Sequence, residues 1–200
     1  MPITLAIDTA APRLQLGLLL TDGRVDVSVD EMATGQAEAI FGRIAELLAR
    51  NGLSYADLER VVTTTGPGSF TGLRIGLSAA RGIGLARGIP VVGVSSLVAL
   101  SLGAAGPSTV LLDARRNEAY FQIFAGPALP TIGADLLPMM IAQAAVVPGT
   151  TLITSPFIDI AALARHGATL DPSGNPPEPT YIRDADAKPQ TAARIERRGI

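Results

Sequence analysis

Two aspartates close apolar, β-rich runs: Asp8 ends Ile3–Asp8 and Asp113 ends Thr109–Asp113. Facing one another across a cleft, such a carboxylate pair would hold a cation. As plain strand ends, each would instead be satisfied by nearby backbone N–H groups. Between them lies Gly66-Pro67-Gly68-Ser69-Phe70-Thr71-Gly72-Leu73-Arg74-Ile75-Gly76, set between a strand pattern and a helix pattern. It reads in two ways: as a tight turn capped by Ser69 or Thr71, or as an anion cradle at a helix N-terminus. It is not a P-loop, because the Gly-Lys-Ser/Thr ending is absent and Arg74 stands a turn into the helix. Ser69 and His166 offer a nucleophile and a base, but Ala164-Arg165-His166-Gly167 reads as a helix end, where cations favour the last carbonyls. Arg115, Arg116, Arg183, Arg194, Arg197 and Arg198 are scattered without aromatic interleaving and read as solvated charge.

Composition narrows the chemistry further. The 200 residues contain no cysteine and one histidine, which excludes disulfides, thiol catalysis, thiolate metal sites and multi-histidine metal sites. With 48% hydrophobic and 17% charged residues, the chain has the means to build a core and is not disordered. The formal net charge of −2 lacks the basic excess of a dedicated nucleic-acid binder. A mean hydropathy of +0.35 raises the question of a membrane span. The charge-free stretches Gly88–Leu112 and Leu136–Ile158 are each interrupted by prolines, and read as buried strands joined to helices. The N-terminus reaches Asp8 too early for a signal peptide. No membrane span and a cytoplasmic location are expected.

The elements that must position these residues follow from periodicity. Strands are expected at Ile3–Asp8, Leu14–Leu20 and Val25–Val29, the last two joined by the hairpin dipeptide Asp22-Gly23. A helix over Thr34–Arg50, a strand over Arg60–Thr65, a helix over Thr71–Arg87, a strand over Pro90–Val94 and a helix over Ser95–Gly103 complete a βββαβαβα half. The second half echoes it in reduced form. It has strands at Thr109–Asp113 and Ala119–Phe124, a helix over Pro138–Val147, a strand over Thr150–Thr154 and a helix over Ile158–His166. The pattern predicts an α/β fold with mixed sheets in two lobes, 1–105 and 106–190, the second cut down, with a loose tail over 191–200. In the second helix Gly72, Gly76, Ala80 and Gly84 recur every four residues and line one strip, while apolar residues spread around the rest. A helix apolar on more than one face is buried on more than one face. Its second cover is either the second lobe or another subunit.

The segments TLAIDTA, GPGSFTGLRIGLSAARGIGLA, PVVGVSSL and DARRNEAYF resemble the TsaB (YeaZ) family, and Pro179-Thr180-Tyr181-Ile182-Arg183 is similar to its C-terminal Pro-x-Tyr-x-Arg stretch. The resemblance runs over most of 3–125 and returns at 179–183. It implies two RNase H-like (actin-like ATPase) lobes. It also implies a non-catalytic subunit in making N6-threonylcarbamoyladenosine on tRNA, paired with a TsaD-like transferase paralogue that carries the metal, nucleotide and transfer chemistry. Pairing through the first two helices is implied as well. The contact residues expected there are Phe41, Ile44, Ala45, Leu48, Phe70, Leu73, Arg74, Gly76, Leu77, Ala80 and Arg81. A TsaE-like ATPase is a further expected partner, a homodimer is expected when the chain is alone, and tRNA contact is expected to be weak or indirect. No catalytic residue, metal or cofactor of its own is expected, with a nucleotide at a shared interface left open.

The sequence departs from the pattern at three places. Gly126–Gly149 is short, Thr34-Gly35-Gln36-Ala37-Glu38 replaces a histidine-containing helix opening, and Asp8-Thr9-Ala10-Ala11 puts Ala10 where the fold's Asp-x-Gly hairpin approaches a phosphate. Asp8, Thr9 and Asp113 therefore mark at most a degenerate nucleotide cleft. A weak ATPase or kinase using it is the competing reading.

Overall fold

The computed structural model describes residues 1–180 and Ile182. The first sheet is built from β1 (Thr4–Asp8), β2 (Arg13–Leu19), β3 (Val25–Glu31), β4 (Arg60–Thr64) and β5 (Val91–Val94), in the order β3-β2-β1-β4-β5. The β1, β2 and β3 strands form an antiparallel meander, whereas β4 and β5 run parallel to β1 after helical crossovers. The β2–β3 turn forms where the dipeptide signal predicts it: Gly23 has φ 86°, and the Asp22 carboxylate accepts from the Arg24 amide at 3.0 Å. Helices α1 (Gln36–Arg50) and α2 (Phe70–Arg87) are those crossovers, and α3 (Ser96–Ser101) follows β5.

The second sheet contains β6 (Ser108–Asp113), β7 (Glu118–Gly126), β8 (Leu129–Pro138) and β9 (Thr151–Ile153), ordered β8-β7-β6-β9. This repeats the first four positions of the first sheet, so the fold is α/β with two mixed sheets, the second smaller by one strand. Strand β8 is absent from the sequence reading. Its ten residues include Pro130, Gly133 and Pro138 and nearly all are exposed, so no alternation marks it. Proline and glycine are tolerated there because β8 is an edge strand. Helix α4 (Met139–Ala144) is shorter than its pattern, and α5 runs Ile160–Thr169, past the expected end at His166.

The cores explain the layering. Leu5, Ile7, Leu14, Leu16 and Leu18 on one face of the first sheet pack against Ile40, Ile44 and Leu47 of α1 and Ala80 and Ile83 of α2. The opposite face carries Ala6, Leu19, Val62 and Val92, which join Leu163 and Ala164 of α5, Leu97 of α3 and Val110, Leu112 and Phe124 of the second sheet in one continuous cluster. A smaller cluster of Leu111, Ala119, Phe121 and Ile123 closes under Ala142 of α4. Thus α5 falls late in the chain yet lies on β1, β2 and β4. Its approach is close: a Cβ at Gly167 would overlap the Val62 side chain, and one at Gly17 would stand 3.1 Å from the Ile160 carbonyl oxygen. Arg60 of β4 fastens its end by donating from Nη1 to the Gly167 and Leu170 carbonyls at 2.9 and 2.6 Å.

Beyond α5 a strap over 171–180, which opens with a 3-10 turn at Pro172–Gly174, runs past β4 and β5. The Gly93 amide donates to the Asn175 carbonyl at 2.9 Å and the Thr180 amide to the Thr65 carbonyl at 2.7 Å. Among the described residues no helix is long and apolar enough to cross a membrane. Tyr181, Arg183, Arg194, Arg197, Arg198 and the tail over 191–200 lie outside the described residues.

Candidate functional site

The glycine-rich segment serves as the hinge between β4 and α2. Ser69 is the N-cap, its hydroxyl accepting from the Gly72 amide at 3.2 Å. The Ser69 amide donates to the Ala10 carbonyl at 2.8 Å, and the Thr9 hydroxyl donates to the Gly72 carbonyl at 2.7 Å. A Cβ at Gly68 would stand 2.8 Å from Ala10 Cβ, so the turn is pressed directly onto the end of β1.

The small-residue strip of α2 serves this same packing. A Cβ at Gly72 would overlap the Thr9 carbonyl oxygen, one at Gly76 would stand 2.6 Å from Thr9 Oγ1, and one at Gly84 would overlap Val91. Ala80 is wholly buried against the first sheet. The strip therefore admits the chain's own β1 and β5, and a bulky residue at Gly76 or Ala80 would test folding rather than docking.

The expected contact residues divide accordingly. Ile44, Leu48, Leu73, Gly76, Leu77 and Ala80 are buried inside the chain. Phe41, Ala45, Phe70, Arg74 and Arg81 are exposed. Two of these are large aromatics: Phe41 is 52% exposed and Phe70 55%. They flank a groove of about 480 Å³ between α1 and α2, floored by Ile40, Ile75 and Ala79. The Arg74 guanidinium lies 3.7 Å from the Phe70 ring centroid, a cation–π contact that holds both on the rim. The far side of α1 is tied to β3, where Arg43 bridges Asp30 at 3.0 Å and Glu46 at 2.9 Å.

The second concavity is a cleft of about 410 Å³ between the two sheets, lined by both Asp8 and Asp113. Asp8 is fully buried, and its carboxylate accepts from the Thr64 hydroxyl at 2.6 Å, the Ala10 amide at 3.2 Å and the Gln15 side-chain amide at 3.3 Å. Burial pushes its pKa above the ordinary carboxylate value, and the three donors oppose that shift without cancelling it. Asp113 is exposed and accepts from the Arg115 amide at 2.8 Å. Both aspartates thus receive the backbone N–H partners expected of strand ends. Thr9 points into the α2 contact, Ser69 lines the cleft, and His166 sits in the last turn of α5 outside the cleft lining. Among the described residues no three histidine, aspartate or glutamate side chains converge to hold a metal.

One cleft residue, Ser96, escapes the sequence reading, and another, Arg115, reads there only as solvated charge. Ser96 opens α3 and lines the cleft behind Leu100, and its sequence signal, the pair Ser95-Ser96, reads only as a helix start. Arg115 lines the rim from the β6–β7 turn, where Arg115, Arg116 and Asn117 all have positive φ (66°, 56° and 62°). Left-handed backbone is uncommon for arginine, and three such residues in succession set the direction of the turn.

The family model described as TsaD, tRNA N6-adenosine threonylcarbamoyltransferase, matches residues 31–128. An uncharacterized protein of Mycobacterium tuberculosis is 35% identical over 92% of this chain and 93% of its own length. The Escherichia coli tRNA threonylcarbamoyladenosine biosynthesis protein TsaB is 35% identical over 58% of this chain. The solved structure of YeaZ from Pseudomonas aeruginosa superposes on 90% of this chain and 100% of its own with a TM-score of 0.74, at 20% identity. The chain is thus similar to the TsaB (YeaZ) proteins over 58% of its length and to the mycobacterial protein over 92%. The matched region spans about half the length of the named TsaB relative, 52% for the E. coli protein. The stretch aligned with the family model includes α1, α2 and the β6–β7 turn, and so contains the groove and part of the cleft lining.

Proposed function

We propose that this chain is a non-catalytic partner subunit in tRNA N6-threonylcarbamoyladenosine biosynthesis, docking a TsaD-like transferase on the outward faces of α1 and α2. The observation that carries the reading is the α1–α2 groove. Two half-exposed phenylalanines, Phe41 and Phe70, flank an apolar floor on helices whose inner faces are already fully used. Exposed aromatics around a groove are the usual anchors of a protein interface. The names of the TsaB relatives support the pathway, and the family-model match supports a paralogous partner built on the same lobe. Arg74 and Arg81 extend the surface along α2 and give it polar specificity at the rim.

In this reading the same groove is covered by a second copy when the partner is absent, a TsaE-like ATPase joins the pair, any tRNA contact is weak or indirect, and the complex works in the cytoplasm. The saturated Asp8 carboxylate supports a scaffold rather than an ATPase or kinase, because none of its oxygens lacks a hydrogen-bond donor. Light scattering on a sizing column, with the chain alone and mixed with the TsaD-like protein of the same cell, tests the reading. A species at the summed mass that replaces any homodimer peak is expected. Two unchanged peaks across nucleotide conditions would overturn it.

A further inference from the structure

We propose that the cleft between the sheets binds a small oxyanion carried on an apolar body, a phosphomonoester or a carboxylate, with Ser96 and Arg115 as its recognition residues. The inference does not rest on the docking reading, because the groove and the cleft have no lining residue in common.

Ser96 carries the argument. It is only 4% exposed, and its hydroxyl has no hydrogen-bond partner, although its amide is satisfied by the Gly66 carbonyl at 2.7 Å. A hydroxyl withdrawn from water without a partner is unfavourable, and native proteins seldom keep one without reason. The Ser96 residue lines the cleft wall, and a ligand oxygen brought against it would accept that proton. Arg115 lines the same cleft from the rim and has no ion-pair partner among the described residues. The Pro67–Ser69 turn beside Ser96 lines the cleft as well, where the 18-residue α2 begins and its positive dipole end adds to the cationic side of the balance.

The remaining walls define the rest of the ligand. Leu100, Leu112, Tyr120 and Ile158 give an apolar lining, and the volume of about 410 Å³ lies in the range of small-molecule sites. Asp8 and Asp113 limit the charge, since both line the cleft and a polyanion would sit beside two carboxyl groups. They also disfavour a metal-chelated triphosphate, because both oxygens of Asp8 are already engaged by protein donors. A single oxyanion paired with Arg115 and Ser96 satisfies both constraints.

Calorimetric titration of the full chain with phenyl phosphate, benzoate, inorganic phosphate and magnesium ATP tests this. Saturable 1:1 binding of phenyl phosphate or benzoate is expected, and the tighter of the two identifies the oxyanion. Inorganic phosphate should bind more weakly than phenyl phosphate because it leaves the apolar wall uncovered. Ser96→Ala should weaken binding roughly three- to ten-fold, the effect of one hydrogen bond, while leaving the thermal midpoint equal or higher, since it removes an unpaired hydroxyl. Arg115→Gln, on an exposed turn, should weaken it at least as much with the fold intact. Absence of saturation by both aromatic probes at millimolar concentration would overturn the proposal. So would unchanged affinity in both variants, or tighter, magnesium-dependent binding of ATP.

Discussion

The Thr9 hydroxyl donates to the Gly72 carbonyl at 2.7 Å, and the Thr9 carbonyl oxygen occupies the place that a Gly72 side chain would need. One residue at the end of β1 thus both bonds α2 and sets how near it comes. The glycine-rich opening of α2 is explained by this contact, without any ligand.

Gly72→Ala and Gly82→Ala should move stability in opposite directions. Alanine at Gly72 meets backbone that cannot step aside, and overpacking of this kind costs about 1–3 kcal/mol. Gly82 is exposed in mid-helix with nothing within 4 Å of a Cβ, so alanine there should stabilise by about 0.5–1 kcal/mol. Urea unfolding midpoints of the two variants check both signs, and equal shifts would contradict the packing account.

Phe41→Ser and Phe70→Ser should leave the fold in place and weaken association. Both side chains are half in water, so each change should alter stability by only about 0.5 kcal/mol. Loss of an interface anchor costs about 2 kcal/mol or more in binding, roughly thirty-fold in affinity. Sedimentation of each variant alone and with the TsaD-like protein reads the effect, and wild-type affinity in the double variant would move the docking surface elsewhere.

Asp8→Asn should gain on the wild type as pH rises. The folded-state pKa of Asp8 lies above its unfolded value, so the unfolded chain releases this proton first and the native state carries a growing ionisation cost with increasing pH. Below the ordinary carboxylate pKa the cost vanishes, and above the raised native pKa it is constant. Asparagine keeps the acceptor for the Thr64 hydroxyl and the Ala10 amide, and a flipped Gln15 amide can accept from the new nitrogen. The difference in unfolding midpoint, variant minus wild type, should therefore widen between pH 4 and 8. A constant difference would show that Asp8 titrates normally.

Gly93→Ala should release the strap. Its Cβ would overlap the Pro176 carbonyl oxygen and stand 2.6 Å from the Thr65 side chain, while the Gly93 amide is the donor that holds Asn175. Limited proteolysis should then cut within 171–180 faster than in the wild type while the sheets remain protected. An unchanged cleavage rate would mean that the Thr180–Thr65 bond suffices to hold the segment.

Much of this arrangement is legible in the residues. The Asp22-Gly23 hairpin, the 3.6-residue period of α1 and the Gly66–Gly76 turn each specify local geometry through side chains that point one way, and each is found where the pattern puts it. Strand β8 is silent because an exposed edge strand with two prolines has neither alternation nor apolar continuity. The glycine strip of α2 was legible as close packing but not as to its neighbour: period four states that something comes near, and only the tertiary fold shows that Thr9 and Val91 do. Ser96 carries no signal, because the sequence Ser95-Ser96 looks the same whether the second hydroxyl is paired or not.

The placement of α5 has a consequence for how the protein is made. One face of the first sheet can condense onto α1 and α2 as soon as residue 94 or so has been synthesised, since every strand and both helices of that layer precede it. The other face stays incompletely covered until Leu163, Ala164 and Gly167 arrive, more than a hundred residues after β1. Contacts of such sequence separation form slowly and leave apolar surface open in the meantime. A nascent chain halted between β5 and α5 should be the species that chaperones hold, and a chain that stops before α5 should aggregate rather than yield an isolated first lobe.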